Sequence, residues 1–284
     1  MRQYLNYFIN RKSLINILNS LPKYKKQKQF PKRVAILFIG TQNYIKYFVK
    51  YYITTKKYFL PNIRKNFFVF TDRTDFNFLK GKKDVISVKI SHNSNPKLMM
   101  MKNFEYVLNA SGKLKKYDYL IKIDADMYPA VKISEKDFLF HDKPLFGIIH
   151  PDFLSRMGTF EFNQESEASV KKGDDLRRYI QCCFWGGRTK YVLDLASTIT
   201  DWVNKDLKKG IIPKIQDESY LNKYFVKNKN LFYIYDPSYA YPQKRPLPKP
   251  FIKKFIHEKY LKKRFFVKTM PFGHNYDWAY QSNN

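Results

Sequence analysis

A chain of 284 residues that is 44% hydrophobic and 18% aromatic can bury one sizeable core. It has no apolar run of about 18 residues, and Met1 to Arg33 lack the apolar stretch and cleavage site of a signal peptide, so we expect neither a transmembrane anchor nor a signal peptide. The two cysteines, Cys182 and Cys183, are adjacent, which excludes a disulfide framework and favours a cytoplasmic location.

Basic residues outnumber acidic ones by 53 to 24, which gives a net charge of +29. An excess of this size is typical of proteins that meet nucleic acid, anionic membranes or anionic substrates. It also follows from the lysine-rich and asparagine-rich composition that an AT-rich genome encodes. Because the lysines recur throughout the chain instead of forming one cluster, we expect no nucleic-acid partner and favour peripheral contact with an anionic membrane.

The first half of the chain alternates between strand and helix patterns after a basic, amphipathic start. We predict an N-terminal extension over residues 1–32 and a single domain over residues 33–284. Continuous apolar runs predict buried parallel strands at 34–40, 67–72, 84–90 and 118–123, and periodic stretches predict helices at about 44–60 and 97–108. This alternation predicts an α/β fold with a mostly parallel, nucleotide-binding sheet flanked by helices.

The second half is less regular. Its first predicted strand is 143–151, and its second, 180–187, closes on a double glycine that permits close backbone approach. The polar residues 152–175 between them are predicted to form a mobile or ligand-gated loop. Helices are expected at 188–209 and 216–226, before a proline-rich stretch at 237–250.

The strand predicted at 118–123 runs directly into two acids, Asp124 and Asp126. In an extended backbone, residues i and i+2 point the same way, and open α/β sheets bind ligands at the carboxyl ends of their strands. Convergent carboxylates repel one another unless a cation lies between them, and Mn²⁺ or Mg²⁺ binds carboxylates together with phosphate oxygens. The Asp-x-Asp pair therefore predicts a metal-dependent nucleotide-diphosphate site, with a solvated strand end as the simpler alternative.

Two further segments combine strand or helix ends with groups that suit ligand binding. Phe38, Ile39, Gly40 and Tyr44 lie at the end of the first strand, where backbone can bind a uracil edge and an aromatic ring can cover the base, with ordinary core packing as the simpler alternative. Glu218 opens a predicted helix. Acids there cap the helix, or a carboxylate there acts on an anomeric carbon as nucleophile or cation stabiliser.

Taken in order, these segments resemble glycosyltransferase family 6, which includes the histo-blood-group A and B transferases and the α-1,3-galactosyltransferases. The likeness runs from about Val34 to about Tyr241, and the chain looks like the short bacterial or viral-type members. The motifs that carry it are Phe38-Ile39-Gly40, Phe68-Val69-Phe70-Thr71-Asp72, Ile123-Asp124-Ala125-Asp126-Met127, Pro144-Leu145-Phe146-Gly147 with His150-Pro151, Phe184-Trp185-Gly186-Gly187, Asp217-Glu218-Ser219-Tyr220-Leu221-Asn222-Lys223-Tyr224 and Pro237-Ser238-Tyr239.

The resemblance implies a GT-A fold and a retaining hexosyltransferase. Such an enzyme moves galactose or N-acetylgalactosamine from UDP to the 3-hydroxyl of an acceptor galactoside, an oligosaccharide or glycolipid, and forms an α-1,3 linkage. By position, the resemblance implies these roles: Phe38, Ile39, Gly40 and Tyr44 hold uridine; Asp124 and Asp126 bind Mn²⁺ (or Mg²⁺) and the diphosphate; Asp217 orients the donor sugar; Glu218 is the catalytic carboxylate; Lys268 meets the diphosphate; His150 and Tyr241 face the acceptor; Gln181 and Cys183 select the sugar.

The chain departs from the family pattern at several positions. Many bacterial members replace the acid pair with asparagines, whereas this chain keeps both acids, so metal dependence is predicted. The basic residue that the family places in the helix after the third strand is matched only by Lys102, and Ile215 stands where animal members have a tryptophan. Two other readings remain open: an α-transferase that uses another donor, such as UDP-glucose or UDP-N-acetylglucosamine, and a non-catalytic protein that binds nucleic acid, an anionic surface or sugars.

Overall fold

The computed structural model describes residues 29–129, 131–153, 157–242 and 266–268, and for 241–242 and 266–268 it describes the backbone alone. Nearly all of the predicted N-terminal extension and most of the proline-rich stretch lie outside these residues. The strands are β1 (Arg33–Ile39), β2 (Arg64–Thr71), β3 (Val85–Lys89), β4 (Tyr119–Ile123), β5 (Met127–Pro129), β6 (Leu145–Ile149), β7 (Ile180–Arg188), β8 (Phe232–Tyr235), β9 (Tyr241–Pro242) and β10 (Phe266–Lys268).

The α-helices flank these strands in chain order. They are α1 (Phe48–Tyr58), α2 (Pro96–Met101), α3 (Asn103–Asn109), α4 (Ser111–Leu114), α5 (Glu135–Phe138), α6 (Thr189–Lys208) and α7 (Gln216–Lys227). Short 3₁₀ turns occur at Gln42–Tyr47, Asn77–Leu79, Pro151–Phe153, Lys229–Leu231 and Pro237–Tyr239. The helix predicted over 97–108 is divided into α2 and α3 at Lys102.

Seven strands form one sheet in the order β3-β2-β1-β4-β7-β6-β8. The pairs β1–β2, β1–β4, β2–β3 and β6–β8 are parallel, which confirms the predicted mostly parallel sheet. Strand β7 runs antiparallel to both β4 and β6, and the sequence pattern did not indicate this reversal. A second sheet has the order β5-β10-β9.

The apolar strands are covered on both faces, as continuous apolar runs require. One core lies between the sheet and α1, and alternate residues of β1 such as Ile36 belong to it. The other core receives Leu37 together with side chains from α3, α6 and α7. The carboxyl ends of β1, β2 and β4 therefore share one edge of the sheet, where ligands bind in open α/β folds.

The double glycine of β7 allows three strands to approach closely. A Cβ atom on Gly186 would lie 2.3 Å from the carbonyl oxygen of Leu120 on β4. A Cβ atom on Gly187 would lie 2.1 Å from the carbonyl oxygen of Pro144, which precedes β6. No side chain fits at either position, which explains why glycine occurs twice at this point of the sheet.

The loop after β6 is anchored where the structure describes it. Within residues 157–175, Glu161 accepts hydrogen bonds from its own loop and from the backbone N–H of Lys214, at 2.9 Å. Phe160 and Val170 pack in a small apolar cluster with Tyr179. The polarity that predicted mobility is used here for hydrogen bonds to the helical layer, and closure of this loop over a ligand stays a prediction.

Candidate active site

The two acids after β4 lie on a turn. Strand β4 ends at Ile123, and the N–H of Met127 donates to the carbonyl of Asp124 at 3.0 Å. The predicted extended backbone through Asp124 and Asp126 is therefore wrong, because the chain reverses at Ala125 before β5 begins. The turn still holds both half-buried acids at the carboxyl edge of β4, and the N–H of Asp124 donates to the carbonyl of Cys183 at 2.9 Å.

A buried lysine, which the sequence analysis did not select, contacts the first acid. The ammonium of Lys122 donates to Asp124 Oδ1 and to the carbonyl oxygen of Cys182, the latter at 3.0 Å, and the side chain is only 3% exposed. Burial acts to lower the pKa of Lys122, but the charges of Asp124 and Asp217 outweigh it and hold the pKa well above the usual range. Lys122 is therefore a permanently charged group inside the site.

Cys182 connects the strand acids to the helix acids. Besides accepting from Lys122, it donates its backbone N–H to Glu218 Oε2 at 2.9 Å and its thiol to Asp217 Oδ2 at 3.3 Å. Burial, followed by the charge of Asp217, raises the pKa of the Cys182 thiol well above its ordinary value. The thiol thus remains protonated and acts as a donor, not as a reactive thiolate.

The two acids of α7 are held by other elements, which favours the site interpretation over helix capping. Helix α7 begins after Ile215 without a side-chain cap. Asp217 is 3% exposed and accepts from Asn103 Nδ2 on α3 at 2.7 Å, and burial raises its pKa. Glu218 is half-buried, and its charge adds to burial in raising the pKa of Tyr179. The acids of α7 are therefore fixed by tertiary contacts.

The predicted uridine-binding residues at the end of β1 and in the loop after it differ in exposure. The Phe38 ring is completely buried, with its centroid 5.0 Å from those of Phe48 and Tyr51, so only its backbone lies near the edge of the sheet. Gly40 donates its N–H to the carbonyl of Phe70 at 3.0 Å and is likewise buried. The exposed ring here is that of Tyr44, at 43%.

Asp72, at the end of β2, fixes this loop. It accepts from both the backbone N–H and the side-chain amide of Gln42, each at 2.8 Å, where Gln42 has a positive φ of 52°. Ile39 is half-buried against the helical core. Together these contacts give the edge of β1 a defined shape next to the acid turn.

The residues predicted to select the sugar and bind the acceptor lie around β6 and β7. Gln181 is 6% exposed and donates to the carbonyl oxygens of Ile149 and Ala240 at 3.2 and 3.1 Å, while the Cys183 thiol donates to its amide oxygen at 3.3 Å. His150 is half-buried, and its Nδ1 accepts from the following 3₁₀ turn at 3.1 Å, which assigns the proton to Nε2. Gln181 is therefore held rigidly by backbone groups.

The predicted basic residues occupy different positions. Lys102 is half-exposed and pairs with Glu105 at 3.7 Å, whereas its neighbour Asn103 contacts Asp217. Strand β10 places the backbone of Lys268 opposite Met127, the residue that follows Asp126. The side chains of Lys268 and Tyr241 lie outside the described residues.

The acid turn suits a hard divalent ion in its chemistry. Asp124 and Asp126 offer carboxylate oxygens, the ligands that Mn²⁺ and Mg²⁺ prefer, and further ligands would come from phosphate and water. Within the part of the chain that the structure describes, no group of three or more histidine, cysteine, aspartate or glutamate residues is arranged to hold a metal. The protein's own share of such a site is therefore two carboxylates, one of which already contacts Lys122.

The sheet of this chain is mostly parallel and has acids gathered at its carboxyl edge, which is the arrangement of a GT-A-like α/β glycosyltransferase fold. The profile of glycosyltransferase family 6 matches residues 15–267, and the chain belongs to this family. The match is wider at both ends than the series of motifs, and it confirms the resemblance drawn from them. Among the described helices, none has the length and apolar character needed to cross a membrane.

Curated relatives agree with the family. The chain is 32% identical over 218 residues to the O-antigen biosynthesis glycosyltransferase WbnI of Escherichia coli, covering 74% of this chain and 88% of that protein. It is 26% identical to the histo-blood group ABO system transferase 1 of Rattus norvegicus and 22% identical to the globoside alpha-1,3-N-acetylgalactosaminyltransferase 1 of Gallus gallus. These matches cover 74% and 76% of this chain, and 61% and 63% of the two animal proteins.

Sequence reasoning gave no site role to four contributors, Lys122, Cys182, Asn103 and Asp72, although Asp72 ends one of the family motifs. One of them left a signal in the sequence, because Lys122 interrupts an otherwise apolar strand two residues before Asp124. A buried strand tolerates a lysine only when a partner meets its charge. The other three are ordinary polar residues whose partners lie far away in sequence, and only the fold brings them together.

Proposed function

We propose that the protein is a metal-dependent, retaining hexosyltransferase. It would move galactose or N-acetylgalactosamine from UDP to the 3-hydroxyl of an acceptor galactoside and form an α-1,3 linkage. The observation that carries this proposal is the position of Cys182, which contacts Asp217, Glu218 and Lys122 and so joins the catalytic acids to the acid turn. Membership of family 6 and the transferase activities for which the two animal relatives are named support it.

On this proposal, the protein prepares the donor site before the sugar arrives. Tyr44 and the backbone after β1 would take the uracil, and Asp124 and Asp126 would hold Mn²⁺ or Mg²⁺ beside the diphosphate. The ion, when bound, supplies the charge neutralisation that a departing UDP needs. Asp217, held by Asn103, would orient the sugar ring.

Glu218 would act on the anomeric carbon. The Cys182 N–H fixes one of its carboxylate oxygens, which limits the side chain to one orientation without neutralising it. From that position the carboxylate would stabilise the positive charge that develops on the sugar, or form a bond to it, on the face opposite UDP. The acceptor hydroxyl, near His150, would then attack on the face that UDP leaves and lose its proton to the departing diphosphate. Any bond between the sugar and Glu218 would break in the same step, so the configuration is retained.

The remaining assignments concern the surroundings of the reaction. An oligosaccharide or glycolipid would be the acceptor, and the net charge of +29 suits peripheral contact with an anionic membrane from the cytoplasm. Nucleic acid is not expected to compete. Gln181 and Cys183 would set the choice of sugar, and their side chains are held in place on the face of β7 opposite Cys182.

The test is donor consumption by purified protein. UDP-galactose and UDP-N-acetylgalactosamine are supplied separately with lactose or a 2′-fucosylated galactoside, in Mn²⁺ and in EDTA, with UDP-glucose and UDP-N-acetylglucosamine as further arms. We expect UDP release and an α-linked product from one of the first two donors, in Mn²⁺. Product from only the other two donors would replace the proposed sugar, and no release in any arm would refute the transferase.

A further inference from the structure

We propose that the Lys122 ammonium is a permanent cation of the donor site, which positions Asp124 and carries part of the positive charge that the donor diphosphate requires. This inference rests on the proposed function and deepens it. It makes Lys122 a positioning residue and not a catalytic one, since a side chain only 3% exposed does not meet the ligand directly.

The placement of Lys122 is the first argument. It lies two residues before Asp124 on β4, so both side chains leave the strand on the same side, and its ammonium contacts Asp124 Oδ1. The carbonyl oxygen of Cys182 fixes the ammonium from β7 at 3.0 Å. The cation is thus held by two neighbouring strands, and Asp124 is held by the cation.

The energetics of burial are the second argument. Replacing both partners of a buried ion pair with apolar side chains often gives an equally stable protein, whereas removing one partner leaves the other charge uncompensated. Asp124, the partner of Lys122, is 29% exposed and therefore still meets water. Leu120 lies two residues before Lys122 on β4, so both side chains point to the same face of the sheet, and Leu120 packs in the helical core. An apolar side chain would therefore fit at position 122. Removal of Lys122 alone therefore acts mainly through Asp124, whose charge water compensates in part, and through the potential of the site.

The charge balance of the site is the third argument. Asp124, Asp126, Asp217 and Glu218 are gathered where a diphosphate is proposed to bind, and carboxylates repel that anion. Lys122 reduces this repulsion whether or not a divalent ion is present. At the same time the ammonium contacts an Asp124 oxygen that a metal would otherwise attract, so Lys122 and the metal share this carboxylate.

Sharing of Asp124 predicts two opposite effects when the charge is removed. In Lys122→Met, the protein alone should bind Mn²⁺ about ten times more tightly, because Asp124 loses its competing cation. The same variant should bind UDP in EDTA about ten times more weakly, because a positive charge has left the site. Loss of structure lowers both affinities, so opposite changes separate the proposed role from damage to the fold.

Lys65 provides the matched control. It is also a buried lysine of the same sheet, 8% exposed, and its ammonium contacts backbone carbonyl oxygens, with that of Leu60 at 2.7 Å. It lies near the start of β2, whereas Lys122 lies near the end of β4. Lys65→Met removes a buried charge without touching the site, and both affinities should stay within about twofold of the wild type.

The experiment measures Mn²⁺ binding to the protein alone by electron paramagnetic resonance, and UDP binding in EDTA by calorimetry. Lys122→Gln accompanies Lys122→Met, because it keeps hydrogen-bond donors for Asp124 and Cys182 and guards against a variant that fails to fold. Equal behaviour of the Lys122 and Lys65 variants, or parallel loss of both affinities, would overturn the inference alone. Absence of UDP binding by the wild type, with and without Mn²⁺, would overturn the proposed function as well.

Discussion

Two buried aspartates, Asp206 near the end of α6 and Asp217 at the start of α7, meet very different surroundings. Asp206 is completely buried and accepts from Ser166 Oγ at 2.6 Å, the N–H of Glu167 at 2.7 Å and the Tyr220 hydroxyl at 2.8 Å. All three donors are neutral. Asp217 accepts from an amide and a thiol, but it lies among other charged side chains.

The difference separates a structural carboxylate from one prepared for chemistry. At Asp206 each donor comes from the loop or helix that the carboxylate binds, so the negative charge is compensated locally. At Asp217 the charges of Glu218 and Asp124 are concentrated at the edge of the sheet, where the Lys122 ammonium compensates their repulsion only in part. Burial alone does not distinguish the two, and the charge of the neighbours does.

Among the changes to the charged site, Glu218→Gln should have the largest effect, which is on kcat. The change keeps the shape and removes the negative charge proposed to face the sugar cation, so kcat should fall by about 10³-fold. UDP-sugar affinity and thermal stability should be nearly unchanged. Steady-state kinetics and calorimetry check this, with Glu105→Gln on α3 as the control that keeps full activity. Loss of donor binding equal to the loss of rate would remove Glu218 from the catalytic role.

Asp206→Ala should lower the stability of the protein and leave catalysis unchanged. Three donors would lose their shared acceptor in a dry environment, and the free energy of unfolding should fall by about 3 kcal/mol. Urea denaturation measures this, and kcat of the folded fraction should remain close to that of the wild type. Asp206→Asn is the milder companion, since it keeps one acceptor oxygen. A selective loss of kcat with unchanged stability would show that the two carboxylates are not separate in role.

Much of the fold was predictable because apolar runs report burial directly. Strands β1, β2 and β4 lie within two or three residues of their predicted bounds, since their side chains are buried on both faces and the pattern is continuous. The reversal of β7 was not predictable. Parallel and antiparallel central strands have the same apolar composition, and their direction is decided by connections that a local pattern does not contain.

The acids of the candidate site were predictable from the sequence, and the residues that hold them in place were not. The positions of Asp124 and Glu218 follow from motif order, whereas the contacts of Cys182 depend on β7 lying beside both β4 and α7. Sequence reasoning selected Gln181 and Cys183 by position in the family. Alternation along β7 turns their side chains to the face opposite Cys182, and only the register of the sheet settles which face meets the acids.

Asp126→Asn sharpens the comparison within the charged region. Asp124 accepts a hydrogen bond from Lys122, whereas Asp126 lies two residues further on, in the turn. Changing Asp126 therefore tests the proposed metal site with less disturbance of the Lys122 ammonium. The Mn²⁺ concentration for half-maximal activity should rise at least about tenfold, because even the loss of a residue that supports a metal ligand has an effect of this size. Metal titrations of activity measure it, and thermal unfolding should not change. An unaltered Mn²⁺ requirement would count against the acid turn as the metal site.

The smallest effect concerns Lys65, which resembles Asp206 because its hydrogen-bond partners are neutral. Burial lowers the pKa of Lys65 from 10.5 to about 8. Between these two values the unfolded chain binds more protons than the folded protein, so the contribution of Lys65 to unfolding free energy rises with pH and is least favourable below about pH 8.

Lys65→Met removes this dependence, while every other titrating group is common to the two proteins. The unfolding free energy of the wild type relative to Lys65→Met should therefore rise by about 1 kcal/mol between about pH 7 and about pH 9. Urea denaturation at the two pH values measures the difference. A free-energy difference that does not change with pH would mean that the Lys65 ammonium is solvated in the folded protein. Lys65 and Lys122 would then differ in their access to water and not only in the charge of their partners.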